Sequence, residues 1–215
     1  MEVRRPDRRR SNYGNTVAMP RLTIELVPSS CWFSNVRSNV PSSVWEVLKK
    51  QTAKLTRYRC EICAGRGRRW PVECHEVWLY DDKTHTQTLV RLIALCPMCH
   101  KVKHIGLASV NGEFDEVRAH LMKVNQWPQQ ATADAYIARA FQIFEERSQH
   151  EWALDISYLK QFGIDPAAFS RPVDVTVRIL PVMIPSGVIP KSIAPYVSAA
   201  DFDPFDHIIC EERVA

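Results

Sequence analysis

Hydrophobic positions along this chain alternate in some stretches and recur every three or four residues in others, which divides it into strands and helices. Leu22, Ile24 and Leu26 alternate with Thr23, Glu25 and Val27, predicting a short strand over 22–27. Pro41, Ser42 and Ser43 open a helix whose apolar face is expected to carry Val44, Val47, Leu48 and Leu55. Residues 70–80 and 86–95, rich in Val, Trp, Tyr, Leu and Thr, flank the turn residues Asp81, Asp82 and Lys83 and read as a β-hairpin. Pro97 then stands where a helix would begin, a first-turn position that suits proline. Two amphipathic helices are predicted over 113–125 and 132–149, the second burying Ile137, Ala140, Phe141 and Phe144. Trp152, Leu154, Ile156 and Leu159 suggest a further short helix ended by Gly163 and Pro166, and Val173, Val175, Val177 and Ile179 a strand near 173–180. The last thirty-odd residues, punctuated by Pro181, Pro185, Pro190, Pro195 and Pro204, read as an extended surface segment.

The expected architecture is α+β: a small zinc-bound ββα unit embedded in a mostly helical protein, with short terminal strands that pair with each other. Five segments follow: a flexible basic arm (1–20), a strand and helix leading into the zinc unit (21–58), the ββα zinc domain (59–110), a helical region (111–165), and a C-terminal strand with its Pro-rich extension (166–215). At 215 residues, 46% hydrophobic and 24% charged, the chain has an ordinary globular composition, which excludes wholesale disorder and repetitive fibres. No stretch approaches the ~18 consecutive apolar residues of a membrane span. The arginines at the start precede no apolar run of a secretory signal, so no membrane association and a cytoplasmic location are expected. Net charge is only +4, but residues 1–21 and 54–105 are basic and the chain after 106 is acidic. That asymmetry suggests a polyanion for the front half and admits a protein partner for the back half; a second copy of the chain is admitted as a further partner.

Seven cysteines without an export signal suggest metal before disulfides. Four form two Cys-x-x-Cys pairs, Cys60/Cys63 and Cys96/Cys99, and each pair sets two sulfurs on one tight turn. Together they can close one tetrahedral thiolate zinc site. The segment between the pairs is longer than the linker of about 15–20 residues in a simple zinc ribbon, and the hairpin fills it. His100 and His104, four apart in the predicted helix, project from one face, and His75 lies mid-strand in Glu73-Cys74-His75-Glu76. Trp70, Trp78 and Tyr80 lie on the hairpin, where aromatic residues more often pack across strands than stack on bases.

The order Cys60-x-x-Cys63, His75 on a strand, then Leu95-Cys-Pro-Met-Cys-His-Lys-Val-Lys-His104 resembles the HNH nuclease family with its zinc-stapled ββα-metal fold. The resemblance spans about residues 58–106. It implies that His75 is a general base activating water against a DNA phosphodiester. It also implies that His100 and His104 lie where the family places ligands of one catalytic divalent ion (Mg²⁺, Mn²⁺ or Zn²⁺, in addition to the structural Zn²⁺) or a phosphate contact. Imidazole titrates near neutrality and so suits the base. Arg66, Arg68, Arg69, Arg91, Lys101 and Lys103 would then contact phosphates. Two positions depart from the family pattern: Cys74 stands where an acidic or histidine ligand usually precedes the base, and Arg91 stands in place of an asparagine that braces the base-bearing loop. A third ligand is therefore sought among Cys74, Glu76 and Glu73. If it is Cys74, a soft-tolerant metal is favoured; if a carboxylate, magnesium or manganese. The competing expectations are a non-catalytic zinc module that binds DNA or a protein, and an effector whose acidic half docks a basic partner.

Overall fold

The computed structural model describes residues 19–169. Most of the basic arm, the strand expected at 173–180, its pairing with 22–27 and the Pro-rich segment lie outside them. The described chain is a mixed α+β structure around one three-stranded sheet. Its elements are α1 (Val36–Asn39), α2 (Ser42–Leu55), β1 (Glu73–Asp81), β2 (Thr86–Leu95), α3 (Pro97–Lys103), α4 (Ile105–Val110), α5 (Phe114–Asn125), α6 (Gln130–Ser148) and β3 (Ala153–Asp155). No helix among the described residues is long and apolar enough to cross a membrane.

The hairpin forms as its pattern predicts. β1 and β2 pair antiparallel from Glu73↔Leu95 to Asp81↔Thr86, and the Asp81 carboxylate accepts the Lys83 N–H in the turn (2.9 Å). The register shifts opposite Val77/Trp78, where β2 carries the extra residue Val90. A bulge of this kind changes which side of a strand its residues face. As a result Ile93 and Leu95 look into one core, while Leu89 and Leu92 look into the other. Because both faces are covered, β2 ends in a run of buried residues, Leu92–Leu95, instead of alternating.

The first core joins Ile93 and Leu95 to Val102 and Ile105, to Phe114, Val117 and Leu121 of α5, and to Ile137 and Phe141 of α6. Pro97 opens α3 at its first turn, and Cys96 serves as its N-cap. The second core gathers Val36, Leu48, Leu89, Leu92, Ile156 and Leu159.

Three expectations are corrected. Residues 22–27 are no strand; they form an extended strap whose backbone, among the described residues, is held by side chains and a single main-chain bond. Asn125 binds both the N–H and C=O of Leu22 (2.9 Å each), and the Glu25 N–H bonds the Lys103 carbonyl (3.1 Å). In α2 the inward residues are Leu48 and Thr52, while Leu55 is 81% exposed and Val47 is also outside. The Thr52 hydroxyl returns to the Leu48 carbonyl (2.9 Å), which lets a polar residue sit inside without a lost hydrogen bond. Finally, 152–159 is not one helix. Ala153–Asp155 adds a short strand parallel to β2, and Ser157–Phe162 is a 3₁₀ turn that stops at Gly163, whose φ of 73° suits glycine.

Candidate metal centres

The two Cys-x-x-Cys turns meet across the hairpin. The first is a tight loop in which the Ala64 N–H reaches the Cys60 carbonyl (2.9 Å) and the Cys60 N–H reaches the Gly65 carbonyl (3.0 Å). It docks on the end of β2 through Glu61, whose N–H bonds the Ala94 carbonyl and whose carboxylate accepts the Ala94 N–H (2.9 Å each). The second turn enters α3. The Sγ atoms of Cys60, Cys63, Cys96 and Cys99 all lie within 4.8 Å of one another, and Cys63 and Cys96 are 3.5 Å apart. A zinc tetrahedron with Zn–S bonds near 2.3 Å has edges of about 3.8 Å, so the donor set fits a structural zinc. The thiol chemistry also fits a dication. Hydrogen bonds from Cys96 and Cys99 drive the Cys60 thiol far below its usual range. The same bonds push Cys96 up to about 11 and raise Cys99 as well, so these three protein groups support one thiolate among them. A bound dication favours the fully deprotonated set. Two further groups address the sulfurs: the Gly65 N–H donates to Cys63 Sγ (3.4 Å), and His120 Nε2 of α5 lies 3.2 Å from Cys99 Sγ. Sequence spacing gives no sign of His120, which reaches the cluster only through the packing of α5 on α3.

Beside this cluster stands a second one. His75 of β1 is 5% exposed. His100 sits on α3, and His104 at the break between α3 and α4. Ring centroids are 5.3 Å apart for His75–His100, 5.1 Å for His75–His104 and 4.8 Å for His100–His104. One ligand nitrogen from each falls within 4.8 Å of the others, a set that can hold a metal ion. The three expected histidines are thus brought together.

Carboxylates stand behind two of them. Glu25 Oε2 lies 2.9 Å from His75 Nε2, and its other oxygen pairs with Lys103 Nζ. Glu73 pairs with His100 Nδ1. Carboxylates in this position fix the tautomer and orientation of an imidazole and raise its basicity as a ligand. With Nε2 engaged by Glu25, His75 has Nδ1 left for the cluster. Burial would raise the Glu25 carboxyl, but the hydrogen bond from His75 and the Lys103 charge hold it down at about 2. Burial pulls His75 down to about 4 despite Glu25, so its imidazole is neutral at pH 7. Glu25 goes unnoticed in the sequence because it is fifty positions from its partner in a segment patterned as a strand.

Other expected site residues lie elsewhere. Alternation along β1 turns Cys74 away from the histidines, with its Sγ 3.6 Å from the Thr52 hydroxyl and its thiol pushed up to about 11 by burial. Glu76 faces the same way, accepting the Val36 N–H (3.0 Å), with burial raising its carboxyl to about 7. Neither joins the cluster. Lys103 is no surface phosphate contact: it is 3% exposed, its ammonium held by Glu25 and by the Thr23 hydroxyl (2.7 Å). Lys101 pairs with Glu113, and Arg91 with Glu61, so Arg91 braces the first cysteine turn and not the strand carrying His75. Arg66, Arg68 and Arg69 lie on the exposed loop before β1, and Trp70 lies there too, 60% exposed and off the strand where cross-strand packing was expected. Compared with known proteins, the chain matches no family model, no curated protein and no solved structure.

Proposed function

We propose that the protein is a metal-dependent nuclease of the HNH type that hydrolyses DNA phosphodiester bonds at His75, His100 and His104. The observation that carries this reading is the convergence of the three imidazoles, two of them backed by carboxylates, immediately beside a thiolate cluster able to pin hairpin to helix. His100 and His104 would hold a divalent cation. Such an ion polarises a phosphoryl oxygen and stabilises the departing alkoxide. His75 is neutral at physiological pH, and Glu25 takes its Nε2 hydrogen. It therefore offers Nδ1 to a water proton and can share the resulting charge with the carboxylate. Imidazole donors suit zinc and its transition-metal neighbours better than magnesium, so Zn²⁺ or Mn²⁺ is the preferred activator.

The test is cleavage of supercoiled plasmid by the zinc-loaded chain supplied with Mg²⁺, Mn²⁺ or Zn²⁺, alongside His75→Ala. Nicking or linearisation by wild type, reduced at least about a hundredfold in the variant, is the expected result. No cleavage with any metal, or equal cleavage by the variant, would refute the reading. A second reading, a non-catalytic zinc module, draws on Cys74 turned toward Thr52 and Arg91 tied to Glu61. It requires that no form of the protein cut DNA.

A further inference from the structure

We infer that the face of the first cysteine turn is a docking surface for unpaired nucleic-acid strands, with Trp70 as its stacking platform. This deepens the nuclease reading by naming the form of its substrate, and rests on that reading for calling the bound strand a substrate. From Lys54 to Val72, Lys54 included, the sequence holds six basic residues and one acid, Glu61. Glu61 is spent on Arg91 and the Ala94 N–H, so no carboxylate in this stretch offsets the arginines. Two segments are stitched into one surface around the turn: Arg66 Nη2 bonds the Arg57 carbonyl (2.6 Å), and Arg59 Nη1 bonds the Ala64 carbonyl (3.3 Å).

Two aromatic rings stand out of this surface, Tyr58 at 42% and Trp70 at 60% exposure. Trp70 is held there by a built loop. The Gly67 N–H bonds the Pro71 carbonyl (3.0 Å), and a Cβ on Gly67 would fall 2.0 Å from the Trp70 carbonyl oxygen and 2.7 Å from Pro97 Cδ. The loop is thus closed on itself and packed against the start of α3, the histidine-bearing helix. Arg69 lies over the Trp70 ring at 5.7 Å from its centroid, so a positive charge and an aromatic face stand side by side on this surface. Basic groups that follow a backbone, together with aromatics open to a π-face, are the pattern of single-strand binding. In a duplex those base faces are already covered by their neighbours, whereas arginines alone would bind duplex and single strand alike.

The test uses the full, zinc-loaded chain and fluorescein-labelled oligonucleotides of about 16 nucleotides as single-stranded DNA, the same sequence as duplex, and single-stranded RNA, read by anisotropy without added divalent metal. Wild type is expected to bind single strands about tenfold more tightly than duplex. Trp70→Ala should abolish that preference, Trp70→Phe should keep most of it, and Arg68→Ala/Arg69→Ala should weaken both forms equally while reducing the salt slope by about 1–2. The tighter of the two single strands names the natural chemistry, and either upholds the surface. Equal affinity for duplex and single strand, or a preference that survives Trp70→Ala, overturns the inference. The plasmid assay with His75→Ala reads the catalytic proposal separately: strand preference without cleavage leaves this surface standing and removes the nuclease, and cleavage without strand preference does the reverse.

Discussion

The cysteine cluster is built almost entirely from its own neighbourhood, whereas the histidine cluster depends on residues drawn from three parts of the chain. Around the thiols, the turn bonds of Cys60, Ala64 and Gly65 span a few residues, Glu61 within the first turn ties it to Ala94 of β2, and His120 reaches in from α5. Around the imidazoles, β1 supplies His75 and Glu73, α3 and its C-cap supply His100 and His104, and the strap at 22–27 supplies Glu25, itself held by buried Lys103. Four thiolates on two turns define a closed tetrahedron and need little else. Three imidazoles that must leave a position open need their ring planes fixed from behind, and that support can come from any segment the fold brings near. Stability should therefore reside in the first cluster and chemistry in the second.

The largest expected effect tests that division. Cys60→Ser/Cys99→Ser should lose the structural metal and with it the cooperative fold, since zinc sites of this kind supply on the order of 10 kcal/mol; far-UV circular dichroism and metal content read both. His100→Ala/His104→Ala should instead retain the fold and the cysteine-bound zinc while losing a second metal equivalent and more than about a hundredfold in cleavage. If this variant unfolds as the cysteine variant does, the two clusters are one structural unit and the comparison fails.

Glu25→Gln sharpens the comparison from the other side. A carboxylate behind a metal-site imidazole contributes about 10- to 100-fold in affinity or activity. A drop of that size in kcat, with zinc still on the cysteines, is the expected outcome. Glu25→Ala should in addition lower stability by about 3 kcal/mol in chemical denaturation, because Lys103 is left buried without its partner.

The smallest effect is on acid stability. His75 is held at about 4 against an ordinary 6.5, so below pH 6.5 the unfolded chain takes a proton that the folded chain refuses until about pH 4. Stability is therefore lost as pH falls through this window. Glu25, held at about 2 against 4.5, extends the loss below pH 4.5. His75→Gln should remove close to one proton from the linkage measured between pH 6.5 and 4 by denaturation at stepped pH, and should narrow the lower window, because His75 is one of the groups that hold Glu25 down.

What the sequence disclosed follows the same divide. Cys60/Cys63, Cys96/Cys99 and the His100/His104 pair are legible because a turn or one helical repeat brings each pair together, and the hairpin because its turn residues and β-rich flanks are local. Cys74 was a candidate only by adjacency, and strand alternation turned it toward Thr52. Glu25 was invisible because alternation at 22–27 reads as a strand. No sheet partner was needed there once Asn125 and the Lys103 carbonyl took over the backbone bonds. β3 escaped notice for a related reason: three residues pairing parallel to β2 leave no periodic signature. Trp70 reads as a strand residue because the β-rich pattern runs on upstream of β1, which begins three residues later.

The strap has a consequence for anyone who would transplant this centre into another scaffold. A fragment cut at the boundaries that the motifs suggest, 59–110, would carry all four clustered cysteines and all three clustered histidines. It would leave behind the carboxylate that aims His75 and the partner that neutralises a lysine ammonium otherwise stranded in an apolar interior. The smallest portable unit is discontinuous: it must bring along a ribbon from far upstream, and the asparagine on α5 that ties that ribbon down.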